Sequence, residues 1–191
     1  MKPLSETAST ATFAALAALM LATRFHHFGT ALNLPDASMA IFFLGGLYLR
    51  RHALFGVFAA LALAIDWIAV SMLGTDPFCV TPAYSFLLPA YAVLWYGGRW
   101  YADRLQPTLT SAMGALAAAF ASASLSFLVS NGAFYWLGGH HTDLSVAGQL
   151  AGAWKWGPLF VGTTMAWMLG AAVLHALYVR VQAGRTAGAR A

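Results

Sequence analysis

The stretch Leu61–Leu73, LALAIDWIAVSML, has the composition of a membrane-spanning segment with a carboxylate inside it. It completes an apolar run, Ala53–Leu73, long enough for one helix across a hydrocarbon core of about 30 Å. Asp66 interrupts this run, and an acidic residue inside a span costs at least about 2.5–3.5 kcal/mol on insertion scales. Asp66 therefore indicates either a functional site or a hydrogen bond to a neighbouring segment, for which Tyr84 is the candidate.

The composition of the whole chain points to the same class of protein. Of 191 residues, 60% are hydrophobic and 8% are charged, whereas soluble domains carry about 25% charged residues. We expect an all-α integral membrane protein in a lipid bilayer, with one domain over residues 1–180 and a disordered cytoplasmic tail over residues 181–191. The Lys and Arg residues are scattered along apolar sequence, so the net charge of +4 indicates membrane topology and not nucleic-acid binding.

Apolar runs separated by Gly, Pro and charged residues predict a bundle of six transmembrane helices. The second and fourth runs are short for a full span, and the fifth is long enough that we expect its outer end to bend or unwind near Asn131–Gly132. The six predicted spans are Thr10–Thr23, Ala37–Leu49, Ala53–Leu73, Ala83–Tyr96, Thr108–Leu137 and Pro158–Val179.

The distribution of basic residues predicts that both termini are cytoplasmic, because Lys and Arg accumulate in cytoplasmic connections. With this orientation only Arg24 and Lys155 lie on the outer side. The inner side then carries Lys2, Arg50, Arg51, Arg99, Arg104, Arg180, Arg185 and Arg190.

The outer connections collect the side chains that bind transition metals. Cys79, the single cysteine, lies between Pro77 and Pro82, and four of the six histidines share its side of the membrane: His26, His27, His140 and His141. Thiolate and imidazole bind soft and borderline metal ions, and the prolines restrict the loop that carries the thiol. The alternatives are an unreactive apolar cysteine and histidines that only contact lipid headgroups.

The first span carries small residues spaced four apart. Ala11, Ala15 and Ala18 belong to a stripe that permits close approach of another helix, either within the bundle or from a partner protein. A cleaved signal peptide is the alternative for this segment, but Glu6 lies where a basic region is expected.

Taken together, these features resemble the substrate-binding S-components of energy-coupling-factor (ECF) vitamin transporters. The length, the six spans and the alanine stripe carry the general resemblance. The sequence IDW around Asp66, followed by DPFCVTPAY, resembles more narrowly the BtuM family of predicted cobalamin transporters, which are solitary relatives of the S-components.

The resemblance implies cobalamin (vitamin B12) binding and uptake across the bacterial inner membrane, with Cys79 as an axial ligand to the corrin cobalt. Asp66 and Tyr84 become further site residues. The alanine stripe would meet a transmembrane coupling subunit, with the ATPases of an ECF module behind it. The histidine pairs are not part of the family motif, and their role stays open.

The chemistry of a corrinoid suits a single thiol. A macrocycle leaves two axial positions on cobalt, so one well-placed donor is enough, and coordination deprotonates a thiol. Phe78, Tyr84 and Trp154 are candidates to line the ring, together with His26, His27 and His140. A thiolate opposite cyanide predicts Cys79-dependent decyanation of cyanocobalamin; the alternative is ligation with cyanide retained.

Two other functions fit the same sequence. A membrane redox protein would bind haem through histidine pairs, with His52 and His175 near the inner ends of their spans as ligands. A small accessory subunit would bind no ligand at all.

Overall fold

The computed structural model describes residues 5–25 and 34–188. Over these residues the chain is helical, without a β-strand, so the prediction of an all-α fold is confirmed. Two 3-10 turns, Pro77–Cys79 and Pro82–Phe86, connect α3 to α4. The six described α-helices are α1 (Glu6–Thr23), α2 (Ser38–Tyr48), α3 (His52–Met72), α4 (Leu87–Ala102), α5 (Leu109–Leu137) and α6 (Val146–Gly188).

Helix α2 lies at the centre of the bundle. Its residues from Ala40 to Leu47 are all buried, and it contacts each of the other five described helices. A helix that is apolar on every side is stable only when other elements surround it. With 11 residues, α2 is too short to cross a bilayer by itself, so its ends are enclosed by protein.

Four of the described helices are long and apolar enough to cross a membrane. These are α1, α3, α5 and residues Val146–Val181 of α6. Helices α2 and α4 are shorter, as their sequences predict, with 11 and 16 residues. This arrangement is compatible with a multi-pass membrane protein.

Helices α2 and α4 approach each other backbone to backbone through glycines. A Cβ atom on Gly46 would lie 1.9 Å from the carbonyl oxygen of Trp95, and one on Gly98 would lie 2.1 Å from that of Phe43. Neither position has room for a side chain. This close contact fixes α4 against α2 and brings Tyr91 towards the beginning of α2.

Helix α5 is continuous from Leu109 to Leu137, so it does not unwind near Asn131–Gly132, which was one of the two outcomes predicted there. Unwinding would leave backbone N–H and C=O groups without partners in a lipid environment, which is expensive. Gly132 instead provides room for a neighbouring side chain, because a Cβ atom there would lie 3.0 Å from Nε2 of Gln149 in α6.

Helix α6 is longer than predicted at both ends. It starts at Val146 and continues through Pro158, which the sequence places at the start of the span. It also extends to Gly188, so residues 181–188, predicted as part of a disordered tail, are helical. Each residue added to an existing helix gains a backbone hydrogen bond, so extension is easier than initiation.

The antiparallel helices give the bundle two distinct ends. The arginine end contains the α2–α3 and α4–α5 connections, where Arg50 pairs with Asp103 at 2.7 Å. The cysteine end contains the connections α3–α4 and α5–α6, with Cys79, Tyr84 and His140.

Candidate functional site

The connection that carries Cys79 has a defined local structure. The Asp76 side chain accepts a hydrogen bond from the Phe78 amide at 2.9 Å, and the Val80 amide donates to the Pro77 carbonyl at 2.7 Å. A proline begins each of the two 3-10 turns. The first residue of a turn needs no N–H for hydrogen bonds within the turn, so proline is well tolerated there. Cys79 ends the first turn; its side chain lies outside the described part of the structure.

An aromatic cluster lies directly beside the cysteine turn. The Phe78 ring stacks on His140 with centroids 4.1 Å apart, and Phe134 lies 5.1 Å from His140 and 5.5 Å from Phe78. His140 Nε2 is 2.9 Å from the Phe78 carbonyl oxygen, to which it donates when protonated. The structure thus brings two predicted site residues, Phe78 and His140, next to Cys79.

The turn after α5 determines where His140 lies. Gly139 has φ +75°, a backbone conformation that suits glycine, and it redirects the chain towards the Phe78 ring. Tyr135 supports the following residues: its hydroxyl donates to the Asp143 carbonyl at 3.3 Å and accepts from the Ser145 amide at 3.0 Å. The His141 ring packs 4.5 Å from Tyr135, away from the His140 stack.

Asp66 and Tyr84 make the contact that the sequence predicts. The Tyr84 hydroxyl donates a hydrogen bond to Asp66 Oδ2. Asp66 belongs to α3 and Tyr84 to the second 3-10 turn, so this bond ties the Cys79 connection to the bundle.

Arg24 is the site residue that the sequence reasoning missed. It follows α1, and its side chain is only 3% exposed. Its Nε donates to Asp66 Oδ1 at 2.8 Å and its Nη2 donates to Oδ2 at 2.6 Å, which forms a bidentate ion pair. In the sequence, Arg24 counts only as one of two basic residues on the outer side. The signal in the sequence was Asp66 itself, because a carboxylate inside a span requires a cation close to it and its own helix carries no Lys or Arg.

The remaining Arg24 donors extend this network to two further helices. Nη1 donates to Ser38 Oγ of α2 and to the Tyr91 hydroxyl of α4, each at 2.8 Å. Ser38 Oγ in turn donates to Asp36 at 2.6 Å. We call Arg24, Asp36, Ser38, Asp66, Tyr84 and Tyr91 the buried ion network.

The buried ion network holds together the elements that meet at it. Both Asp66 oxygens accept hydrogen bonds, and every nitrogen of the Arg24 guanidinium has an acceptor within 3.2 Å. The network joins α1, α2, α3 and α4 to the second 3-10 turn.

The other predicted ligand residues are not gathered at this site. Trp154 lies in α6 with 84% of its side chain exposed, and no described residue of the cysteine end makes a ring contact with it. Such an exposed tryptophan suits a membrane–water interface. His26 and His27 lie outside the described residues.

The two histidines proposed for haem binding lie between different pairs of helices. His52 Nδ1 is 3.0 Å from the Tyr96 hydroxyl of α4, and His175 Nδ1 is 3.1 Å from the Tyr48 hydroxyl of α2. Each imidazole therefore has its own tyrosine partner, and no described contact joins the two histidines.

The alanine stripe of α1 faces outwards. Ala11, Ala15 and Ala18 are exposed, while Leu16 and Met20 of the same helix are buried in the core. The stripe therefore does not serve packing within the described bundle.

The described side chains contain no group of three or more His, Cys, Asp and Glu that converges on a common point. In comparisons with known proteins, no family model and no curated protein matches this chain.

Proposed function

We propose that this chain is a corrinoid transporter of the BtuM type, which takes up cobalamin across a bacterial inner membrane. Cobalamin is the transported substrate, and Cys79 supplies an axial ligand to its cobalt. The single observation that carries the proposal is the built connection at residues 76–86, which holds the only cysteine beside an aromatic cluster and is tied to α3 through Tyr84 and Asp66.

The geometry of this connection supports a one-donor site. Phe78 is 52% exposed and stacks on His140, so a flat apolar surface remains accessible next to Cys79. A corrin ring is broad and apolar on its faces and has amides at its edge, which suits aromatic contacts with a few polar groups. His140 Nδ1 is available to hydrogen-bond an amide when Nε2 contacts Phe78.

In the proposed topology, the six helices are six membrane passes and both termini are cytoplasmic. The arginine end faces the cytoplasm, in agreement with the distribution of basic residues. The substrate then enters the cysteine end from the outside.

The outward-facing alanines of α1 support a partner in the membrane. Small side chains at Ala11, Ala15 and Ala18 permit another helix to approach closely. We assign this surface to the transmembrane coupling subunit of an ECF module, whose ATPases would drive uptake.

The proposal includes a reaction of bound cyanocobalamin. The Cys79 thiolate donates a sulfur lone pair to cobalt, and the bond from cobalt to cyanide breaks with its electron pair on cyanide. Cobalt keeps its oxidation state, so no reductant is needed, and the released cyanide takes a proton from water.

The test is the absorption spectrum of the full chain, purified in detergent from cells grown with cobalamin. Corrin bands in a ratio close to one per chain support the proposal. Haem bands would favour the redox alternative with His52 and His175, and a colourless protein that also fails to bind added cobalamin would favour an accessory subunit.

A further inference from the structure

A groove at the arginine end is separate from the candidate corrinoid site. Its volume is about 350 Å³, and its walls are the second half of α2, the first turns of α5 and residues 168–180 of α6. The connection 105–108 closes it at the end nearest α5. This volume lies at the lower end of the range of about 300–1,000 Å³ for small-molecule sites.

Small residues from two helices line the groove. They are Ala112 and Ala115 of α5 and Ala171, Ala172 and Ala176 of α6. Larger apolar side chains of α2 also belong to the lining. The walls along most of the groove are therefore apolar.

Polar groups line only one end of the groove. They are Gln106, Thr108, the paired Tyr48 and His175, and Arg180 at the rim. Arg180 is exposed, it has no hydrogen-bond or ion-pair partner among the described residues, and no Asp or Glu belongs to the described lining. The rim therefore carries one positive charge that the described protein does not neutralise.

The spacing of these features matches one leaflet of a bilayer. Met168 and Arg180 lie 12 positions apart in α6, which is about 18 Å at 1.5 Å per residue. Half of a hydrocarbon core of about 30 Å is about 15 Å. An acyl chain along the apolar walls would thus place its phosphate near Arg180.

We propose that this groove binds an anionic phospholipid, with one acyl chain between α5 and α6 and the headgroup at Arg180. Charge complementarity selects the lipid, because one basic residue near an anionic lipid surface contributes about 1 kcal/mol, or about a fivefold difference in affinity. The site does not depend on the proposed corrinoid function.

The experiment is native mass spectrometry of the full chain. The purified protein is incubated in detergent with equal amounts of phosphatidylglycerol and phosphatidylcholine, and it is then released from the detergent in the spectrometer. We expect one retained phosphatidylglycerol, preferred by about fivefold over phosphatidylcholine. Arg180→Gln should remove the preference. Arg104→Gln is the matched control, because Arg104 lies over the Trp100 ring at 4.2 Å and does not line the groove.

Ala112→Phe tests the groove itself, since the larger side chain fills it and should abolish retention of both lipids. Equal retention of the two lipids by the wild-type chain would overturn the proposal, as would equal effects of Arg180→Gln and Arg104→Gln. A dimer that retains no lipid would assign the groove to a second copy of the chain.

Discussion

At the scale of single residues, the buried ion network explains why α3 tolerates an acidic residue. Asp66 is 12% exposed and shares its charge with Arg24, which is 3% exposed. Arg24 Nη1 also lies 3.7 Å from Asp36, so one guanidinium pairs with two carboxylates. Without Arg24, Asp66 would be a carboxylate inside the bundle with no cation beside it.

The first prediction follows from this pairing. Asp66→Ala removes the bidentate partner of the buried Arg24 guanidinium and leaves Asp36, 3.7 Å from Nη1, as its acidic neighbour, so we expect a loss of about 1.5–3 kcal/mol in stability. The triple variant Arg24→Met, Asp36→Asn and Asp66→Leu should recover most of that loss, because it removes all three charges of the cluster. Thermal unfolding in detergent measures both effects.

Asp103→Ala is the matched control for this prediction. Asp103 also pairs with an arginine, Arg50, but it is 81% exposed, and exposed ion pairs contribute little. If Asp66→Ala unfolds at the same temperature as Asp103→Ala, the buried ion network does not stabilise the bundle.

The second prediction concerns the attachment of the cysteine connection. Tyr84→Phe removes the hydroxyl that donates to Asp66, and hydrogen bonds to charged groups contribute about 1.5–3 kcal/mol. We expect faster hydrogen exchange of the backbone amides at residues 78–86. Tyr135→Phe should instead affect residues 138–145, whose Ser145 amide binds that hydroxyl. Unchanged exchange at 78–86 in Tyr84→Phe would show that this bond does not hold the connection.

The sequence was informative about part of this site. The cost of a carboxylate in an apolar run pointed to Asp66, and the nearest phenol in the next predicted segment was Tyr84. The burial of Arg24 could not be predicted, because it depends on α2, α3 and α4 meeting at one point, which no local pattern encodes. The stacking of His140 on Phe78 could not be predicted either, since 62 positions separate the two residues.

At the scale of helices, glycines control the contact between α2 and α4. Gly46 and Gly98 each lie against a backbone carbonyl of the other helix. Helix α4 holds Tyr91, and α2 holds Ser38, both of which accept hydrogen bonds from Arg24. A change in the distance between the helices is therefore transmitted to the buried ion network.

The third prediction tests this helix contact. Gly98→Ala should destabilise the protein by about 1–3 kcal/mol, because the added methyl group must push apart two backbones. Gly56→Ala in α3 is the control: nothing lies within 4 Å of a Cβ atom there, so we expect unchanged or slightly higher stability. Thermal unfolding in detergent measures the stability of both variants. Equal stability of Gly98→Ala and Gly56→Ala would contradict the role of close packing between α2 and α4.

Helix positions followed well from apolar runs, whereas the ends of α4 and α6 did not: α4 is Leu87–Ala102 and not Ala83–Tyr96. The bounds of α3 and α5 lie within one residue of their predictions, because hydrophobic composition defines them. Helix α6 continues past Pro158 on one side and past Val179 on the other. Backbone hydrogen bonding continues the helix beyond the apolar run that the sequence identified.

At the scale of the whole molecule, the bundle presents its functional surfaces at separate places. The candidate corrinoid site lies at the cysteine end, the groove proposed to bind lipid lies at the arginine end, and the alanine stripe lies on the outside of α1. Substitutions can therefore separate binding, lipid contact and coupling.

The fourth prediction uses this separation. Ala15→Phe enlarges an exposed position of the stripe, so stability in detergent and cobalamin binding should remain within error of wild type. Uptake of labelled cobalamin by cells should be lost, because a large side chain keeps a partner helix at a distance. Normal uptake would mean that no partner docks on this surface.

The fifth prediction addresses the central claim, that Cys79 ligates the cobalt of a bound corrinoid. The most direct measurement is the absorption spectrum of cyanocobalamin during titration with excess purified protein, with released cyanide assayed in parallel and Cys79→Ser as the control. We predict a shift of the corrin bands and slow release of cyanide by the wild-type chain, and neither change with Cys79→Ser. An identical spectrum for the two proteins, with cobalamin bound by both, would contradict ligation by Cys79.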